Sequence, residues 1–220
     1  MHLAIYDMDR TITIRGTFTP FLLFAARRRA PWRLVALPLW LLAMACHKAG
    51  LIARKPLKQY GIRLLVGRTI PAGTAHDLAA RYAAHVMARN VQPGALAAIT
   101  QDRVKGRMLV MATAAPDFYA RTIGAALGFD AVIATRHAAA ADGGVSHRIV
   151  GENCYGAHKL VMIRDWLAAT GHAPHTVRFY SDDLSDAPTL DWADVAFVVN
   201  PDARLSQAAA LRGWQTLVFR

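Results

Sequence analysis

The sequence predicts an α/β fold: a mostly parallel sheet into which a helical module is inserted. Three observations predict it. Short apolar runs alternate with longer stretches of helical composition, the pattern of βα units feeding a parallel sheet. Three of those runs end in polar residues, at Asp7, at Thr113, and at Ser181 with Asp182, as expected where strands deliver side chains to one crevice. Charge is divided unevenly along the chain, and this separates two modules.

The elements follow in order. His2 to Tyr6 is a short apolar run that predicts a buried strand. Similar runs at Arg107 to Ala112, Ala131 to Ala134, Thr176 to Tyr180, Val195 to Val199 and Thr216 to Phe219 predict the remaining strands. Helices are expected at Pro93 to Lys105, Pro116 to Leu127, Gly156 to Ala169, Ser185 to Trp192 and Pro201 to Leu211. Three of them begin at a proline, which suits a first helical turn because the missing N–H has no partner there. Asp142-Gly143-Gly144 predicts a hairpin between Ala141 and Asn153.

The segment from Gly16 to Asn90 differs. It holds twelve Lys or Arg against one acid, Asp77, a net of +11, whereas the remaining residues hold fourteen of each sign. Residues 1–15 and 91–220 therefore read as one balanced core, and 16–90 as a basic insert that meets something anionic. Within the insert, Phe18 to Ala26 is largely apolar and is followed by Arg27-Arg28-Arg29. The apolar stretch Leu34 to Cys46 then ends at His47 and Lys48, and Thr74 to Arg89 predicts an ordinary helix. Thirteen helical residues span about 20 Å, short of the roughly 30 Å hydrocarbon core, so the stretch is not expected to cross a membrane. Cationic flanks with Trp32 and Trp40 near the ends suit a helix lying in a membrane interface. A helix buried in an all-helical module is the competing reading.

Composition sets the outer limits. With 220 residues, 54% hydrophobic and 19% charged, the chain can bury a core, and disorder and coiled coil are excluded. Cys46 and Cys154 are too few for a disulfide framework and form no metal clip, which predicts a reducing compartment. The opening Met1-His2-Leu3-Ala4-Ile5-Tyr6-Asp7 lacks a basic leader before an apolar stretch, and a cytoplasmic chain is expected.

The chemistry concentrates in Asp7-Met8-Asp9-Arg10-Thr11, directly after the first strand. Alone this is a polar strand exit or a generic DxD. A hydroxyl at a strand end (Thr113), a lysine opening a helix (Lys159) and an acidic cluster ending another strand (Asp182, Asp183, Asp186) follow it in order.

With these four elements the chain resembles the haloacid-dehalogenase superfamily of phosphatases, in the branch of phosphoserine phosphatase. Asp7, Asp9 and Thr11 match the DxDxT motif, and Thr113 matches the second motif, often Ser in this branch. Lys159 matches the third, and Asp182 with Asp186 the acidic fourth, with Asp183 where Gly is common. The resemblance implies a Rossmann-like core with an inserted helical cap and a phosphomonoesterase acting through an aspartyl-phosphate. It makes Asp7 the nucleophile and Asp9 the general acid and base, and it makes Thr113 and Lys159 balance charge on the transferred group. It implies substrate phosphate held by Thr11, Thr113, Ala114 and Lys159. Mg²⁺ would be held by Asp7, the Asp9 carbonyl and Asp182, with Asp183 and Asp186 behind them. None of the nine histidines is assigned to metal, although His158 adjoins Lys159.

The resemblance also bears on the leaving group. Phosphoserine phosphatases carry a Glu nine residues after the nucleophile to hold the substrate ammonium, and here Gly16 stands there, which disfavours phosphoserine. A first motif followed by an apolar stretch with basic flanks is similar in pattern to class C phosphatidylglycerophosphate phosphatases. That similarity implies a lipid-linked phosphate at an anionic membrane surface, with the protein peripheral on the inner face of the cytoplasmic membrane. A soluble small-metabolite phosphatase is the alternative within the family. A basic nucleic-acid binder is the alternative of another class, disfavoured because the aromatics lie within apolar runs and no nucleic-acid motif occurs.

Overall fold

The structure, a computed structural model, describes residues 1–220. The chain begins with β1 (His2–Tyr6) and enters a helical segment of α1 (Phe18–Arg29), a 3₁₀ turn (Pro31–Ala36), α2 (Leu37–Lys48), α3 (Arg54–Gly61) and a π-helical turn (Ile62–Val66). It returns through β2 (Thr69–Ile70), α4 (Ala72–Arg89) and α5 (Pro93–Val104) to β3 (Met108–Pro116), α6 (Asp117–Ala126) and β4 (Ala131–Thr135). The hairpin β5 (His137–Ala139) and β6 (Val145–Ile149) precedes α7 (Ala157–Thr170) and β7 (Thr176–Ser181). A 3₁₀ turn (Leu184–Asp186), α8 (Ala187–Trp192), β8 (Val195–Val199), α9 (Ala203–Arg212) and β9 (Gln215–Leu217) complete the chain.

Six strands form a parallel sheet in the order β4-β3-β1-β7-β8-β9. Alternation along the central strands explains the two layers around it. Ala4 and Tyr6 of β1, with Leu109 and Met111 of β3, face a core shared with Phe21, Tyr82 and Tyr119. Leu3, Ile5, Val110 and Ala112 face the opposite core, filled by Ile163 and Leu167 of α7, Leu190 of α8 and Leu205 of α9. Both faces are covered, so these strands read as continuous apolar runs.

One acid is buried in the sheet core. Asp102, on α5, accepts hydrogen bonds from Tyr6 Oη (2.7 Å) and Tyr180 Oη (2.9 Å) and pairs with Arg178 (3.0 Å) and Arg107 (3.2 Å). Its donors satisfy both oxygens, which makes its burial tolerable.

Several expectations are corrected. The apolar stretch Leu34 to Cys46 is two elements, because Ala30 and the Pro31 turn start a 3₁₀ segment and the α-helix begins only at Leu37, with Pro38 in its first turn. Trp32 and Trp40, paired in the sequence reading, separate: Trp32 is exposed, while Trp40 is buried beside Phe18, with ring centroids 6.1 Å apart. The last strand is Gln215–Leu217 rather than Thr216 to Phe219. β2, unforeseen, pairs with β6 and ties the insert to the hairpin in a three-stranded antiparallel sheet, β2-β6-β5.

No helix is long and apolar enough to cross a membrane. The face of α2 opposite Trp40 and Ala43 nonetheless exposes Leu39, Leu41 and Leu42, continued by Val35 (83% exposed) and Trp32 (70% exposed). Not all the cations of the insert are free. Arg29 donates to Thr69 O (2.7 Å), Arg33 to Leu64 O (3.0 Å) and Lys55 to Gly151 O (2.6 Å), so these are tied to backbone carbonyls of neighbouring segments.

Candidate active site

The site forms where β1, β3 and β7 end. The Asp7 N–H donates to Tyr180 O at 2.9 Å, a rung between the two strands at the point where the carboxylate leaves the sheet. The chain then turns sharply, with the Ile12 and Thr13 N–H groups both returning to Met8 O. Arg10 adopts φ 63° in this turn, a left-handed conformation that costs a non-glycine residue about 1 kcal/mol. Gln92 holds the strained loop in place: the two N–H groups of its Nε2 are shared among the carbonyls of Arg10 (2.7 Å), Thr11 (3.0 Å) and Thr13 (3.2 Å). No sequence signal marks Gln92, since it precedes the Pro93 helix like any N-terminal flank.

Asp9 is fixed at the mouth of the insert, where its Oδ1 accepts from the Thr17 N–H at 2.9 Å at the start of α1. Lys159, in the first turn of α7 and fully buried, reaches Asp7 Oδ1 at 2.7 Å and Asp186 Oδ2 at 2.5 Å. Ser181 Oγ donates to the same Asp186 oxygen at 2.7 Å. Asp186 therefore fixes the ammonium that touches Asp7. In the sequence Ser181 stands only as the polar end of a strand, with nothing to mark this role.

A cavity of about 260 Å³ opens over these groups. Asp7, Asp9, Asp182, Asp183 and Asp186 line it, together with Thr113 and Ala114 of β3, Gly16, and the cations Arg10 and Arg54. Arg54 belongs to α3 and lies 3.6 Å over the Tyr155 ring, bringing the insert to the cavity wall. Sequence reasoning counted Arg54 only as part of a basic run. Thr11 is fully buried away from the cavity and donates to Asp182 Oδ1 at 3.2 Å, so it positions a carboxylate instead of touching a ligand. Asp183 accepts from the Ser185 N–H at 2.9 Å and caps the short 3₁₀ turn. His158 is exposed and stands outside the cavity.

The electrostatics follow from crowding. Burial holds the Asp7 carboxyl well above the usual range; Lys159 pulls it down, while Asp186 and Asp182 push it up. Burial also raises Asp9, opposed by its bonds to Thr17 and by Lys58 and Lys159. Asp182 is pushed up to about 6 by burial and by the charge of Asp183, against the bond from Thr11. Burial pulls the Lys159 ammonium down, but Asp186 and Asp7 outweigh it and hold the group above the ordinary lysine range.

Four sequence elements thus converge on one crevice in the order in which the chain supplies them. The family description of haloacid dehalogenase-like hydrolases matches residues 4–191. The chain belongs to this family. A haloacid-dehalogenase-like core with six parallel strands also places it among solved structures: a protein of unknown function from Bordetella pertussis Tohama I has a TM-score of 0.88 at 24% identity, covering 98% of this chain and 97% of that one. A phosphoserine phosphatase in complex with substrate has a TM-score of 0.63 at 15% identity, covering 94% and 89%. Among sequences, CicA of Caulobacter vibrioides is 28% identical over 87% of this chain and 83% of its own. A Mycobacterium tuberculosis protein named phosphoserine phosphatase is 35% identical over 52% of this chain and 37% of its own length, and a probable phosphatase from the same organism is 34% identical over 55% and 42%. The chain spans about two fifths of the length of these two mycobacterial relatives.

Proposed function

We propose that this member of the family is a Mg²⁺-dependent phosphomonoesterase that acts through an aspartyl-phosphate at Asp7, on a lipid-linked phosphate presented at an anionic membrane surface. The contact between Asp7 and Lys159, itself held by Asp186, carries the catalytic half of the reading. It gives a buried carboxylate a fixed cation beside the point where phosphoryl charge develops.

The chemistry then follows from the residues. An Asp7 oxygen attacks phosphorus and the bond to the leaving oxygen breaks. Asp9, whose carboxyl burial raises above its ordinary range, gives a proton to that oxygen. Asp9 next takes a proton from a water that attacks phosphorus, which breaks the bond to Asp7 and returns phosphate. Lys159 and the Thr113 hydroxyl balance charge on the oxygens of the group in transfer.

No three His, Cys, Asp or Glu side chains form a ready-made ion cage. The cavity wall nonetheless carries five carboxylates against Arg10 and Arg54, an excess of hard oxygen donors that fits a divalent cation. Asp7, Asp182 and the Asp9 carbonyl would hold it, and Asp183 and Asp186 would support them. When bound, Mg²⁺ offsets the repulsion between the Asp7 carboxylate and the phosphoryl anion.

The insert carries the substrate half of the reading. Gly16 lies in the cavity wall, and a Cβ added there would meet nothing within 4 Å. Open space stands where an ammonium-binding carboxylate would be needed for phosphoserine. The exposed Trp32, Val35, Leu39 and Leu42 give the insert an apolar face suited to lipid.

Phosphate release from phosphatidylglycerophosphate, phosphatidic acid, phosphoserine and an aryl phosphate, with Mg²⁺ or chelator, tests both halves. Turnover favouring the lipids and lost by about 10³-fold or more in Asp7→Asn is expected. Full activity in Asp7→Asn overturns the mechanism; phosphoserine turnover equal to that of the lipids overturns the substrate.

A further inference from the structure

A second buried lysine has no role in this chemistry. Lys58, on α3 of the insert, is 6% exposed and has no carboxylate within ion-pair distance. Its ammonium crosses to the core, donating to Ala114 O and, at 2.6 Å, to Asn153 Oδ1. A buried cation without an anionic partner is costly, and several hydrogen bonds to neutral oxygens only partly offset that. Burial, reinforced by Arg54, lowers its pKa to about 7. Such a residue weakens the fold, so what it touches gives the reason for its presence.

It touches one peptide unit of the catalytic strand. The Ala114 carbonyl, which also accepts from Thr135 Oγ1 at 2.8 Å, belongs to the same plane as the Ala115 N–H. That N–H donates to Thr113 Oγ1 at 3.1 Å. With its oxygen already accepting from Ala115, the Thr113 hydroxyl keeps its proton free to donate into the cavity. The bonds run from the insert to the hydroxyl without a gap: Lys58 ammonium, Ala114 carbonyl, Ala115 N–H, Thr113 oxygen. β3 also changes register between Thr113 and Pro116, so this peptide lacks the support of regular ladder pairing.

We propose that Lys58 is a positioning residue through which the insert, once seated on the core, orients the Thr113 hydroxyl toward the transferred phosphoryl group. This rests on the phosphatase reading but not on the lipid substrate. Asn153 is the second half of the latch: its Oδ1 accepts from Lys58 at 2.6 Å and lies 2.9 Å from Thr135 Oγ1, whose one proton is shared between this oxygen and the Ala114 carbonyl, so α3, β3 and β4 meet at one point. Lifting α3 away would remove the Lys58 bond from the peptide and loosen the hydroxyl, which couples closure of the insert to competence of the site.

The test is a double-mutant cycle between Lys58→Met and Thr113→Ala, read on an aryl phosphate that needs no membrane. Lys58→Met is expected to lower kcat by about tenfold or more with little change in KM, and to add no further loss when Thr113 is already Ala. An equal loss in both backgrounds overturns the proposal, because a lysine that merely held the insert in place would act whether or not the hydroxyl were present. Hydrogen exchange of the Ala115 amide reads the same coupling without turnover, and its protection should fall by about tenfold or more in Lys58→Met. Unchanged Ala115 protection overturns the proposal. An aryl phosphate left intact by the wild type would instead count against the phosphatase reading, and the amide would still decide the role of Lys58.

Discussion

Lys58 and Lys159 are both buried ammonium groups at the end of one sheet, yet their surroundings drive them in opposite directions. Asp7 and Asp186 flank Lys159 and hold its proton, whereas Lys58 meets only neutral oxygens and titrates near 7. This has a consequence for stability. The unfolded chain keeps the Lys58 proton up to the ordinary lysine pKa of about 10.4, while the fold keeps it only below about 7. Between these values the unfolded chain binds more protons, so the Lys58 contribution to stability improves as pH rises and is at its worst below pH 7. Lys58→Met, which carries no proton, should therefore be more stable than the wild type at about pH 6, with an advantage that shrinks by roughly 5 °C in Tm or more by about pH 9. Thermal unfolding of the two proteins at both pH values checks this. A constant difference would mean that the ammonium is hydrated.

At the scale of elements, close packing of α3 against α1 and α2 decides whether the insert can seat Lys58 and Arg54 at all. Gly61 ends α3 beneath Trp40, and a Cβ added there would lie 2.6 Å from Trp40 Cζ3 and 2.9 Å from Leu22 Cδ1. Gly61→Ala is expected to cost about 1–3 kcal/mol by overpacking, measured by urea unfolding, and to lower turnover as α3 shifts. Unchanged stability would show that Trp40 is free to move. The same interface explains what could be read in the sequence. Strands such as His2–Tyr6 and Val195–Val199 were legible because a strand covered on both faces is a bare apolar run, and their polar ends, Asp7 and Asp182, stood out against it. The insert was less legible. Arg29, Arg33, Lys55 and Lys58 look alike in a basic run, and only the fold shows that their partners are carbonyls up to 96 residues away. Gln92 and Lys58 serve the site through backbone oxygens, which every sequence supplies at every position, so no residue pattern could announce them.

Across the whole molecule, a charge-balanced sheet core carries a segment from Gly16 to Asn90 that is both basic and, on one face, apolar. Lys58, Arg29, Arg33 and Lys55 are tied to backbone carbonyls, while Arg27, Arg28, Lys48, Arg63 and Arg68 of the same insert are exposed. Each such cation near an anionic leaflet contributes on the order of 1 kcal/mol, and each leucine moved out of water about 1.5–3 kcal/mol. Neither term alone holds a protein firmly to a bilayer. If both act, they separate experimentally, because salt screens the first and leaves the second. Sedimentation with anionic vesicles is therefore expected to weaken as salt rises from about 0.1 M to about 0.5 M. A Leu39→Ser, Leu42→Ser double variant, which leaves the charge unchanged, should lose about tenfold or more of the binding at either salt, with little change in Tm because both side chains are exposed. Equal binding to neutral and anionic vesicles would remove the electrostatic term, and unaltered binding by the double variant would remove the apolar one. If both results were obtained, the insert would be a closing module for soluble phosphoesters whose exposed leucines meet no bilayer.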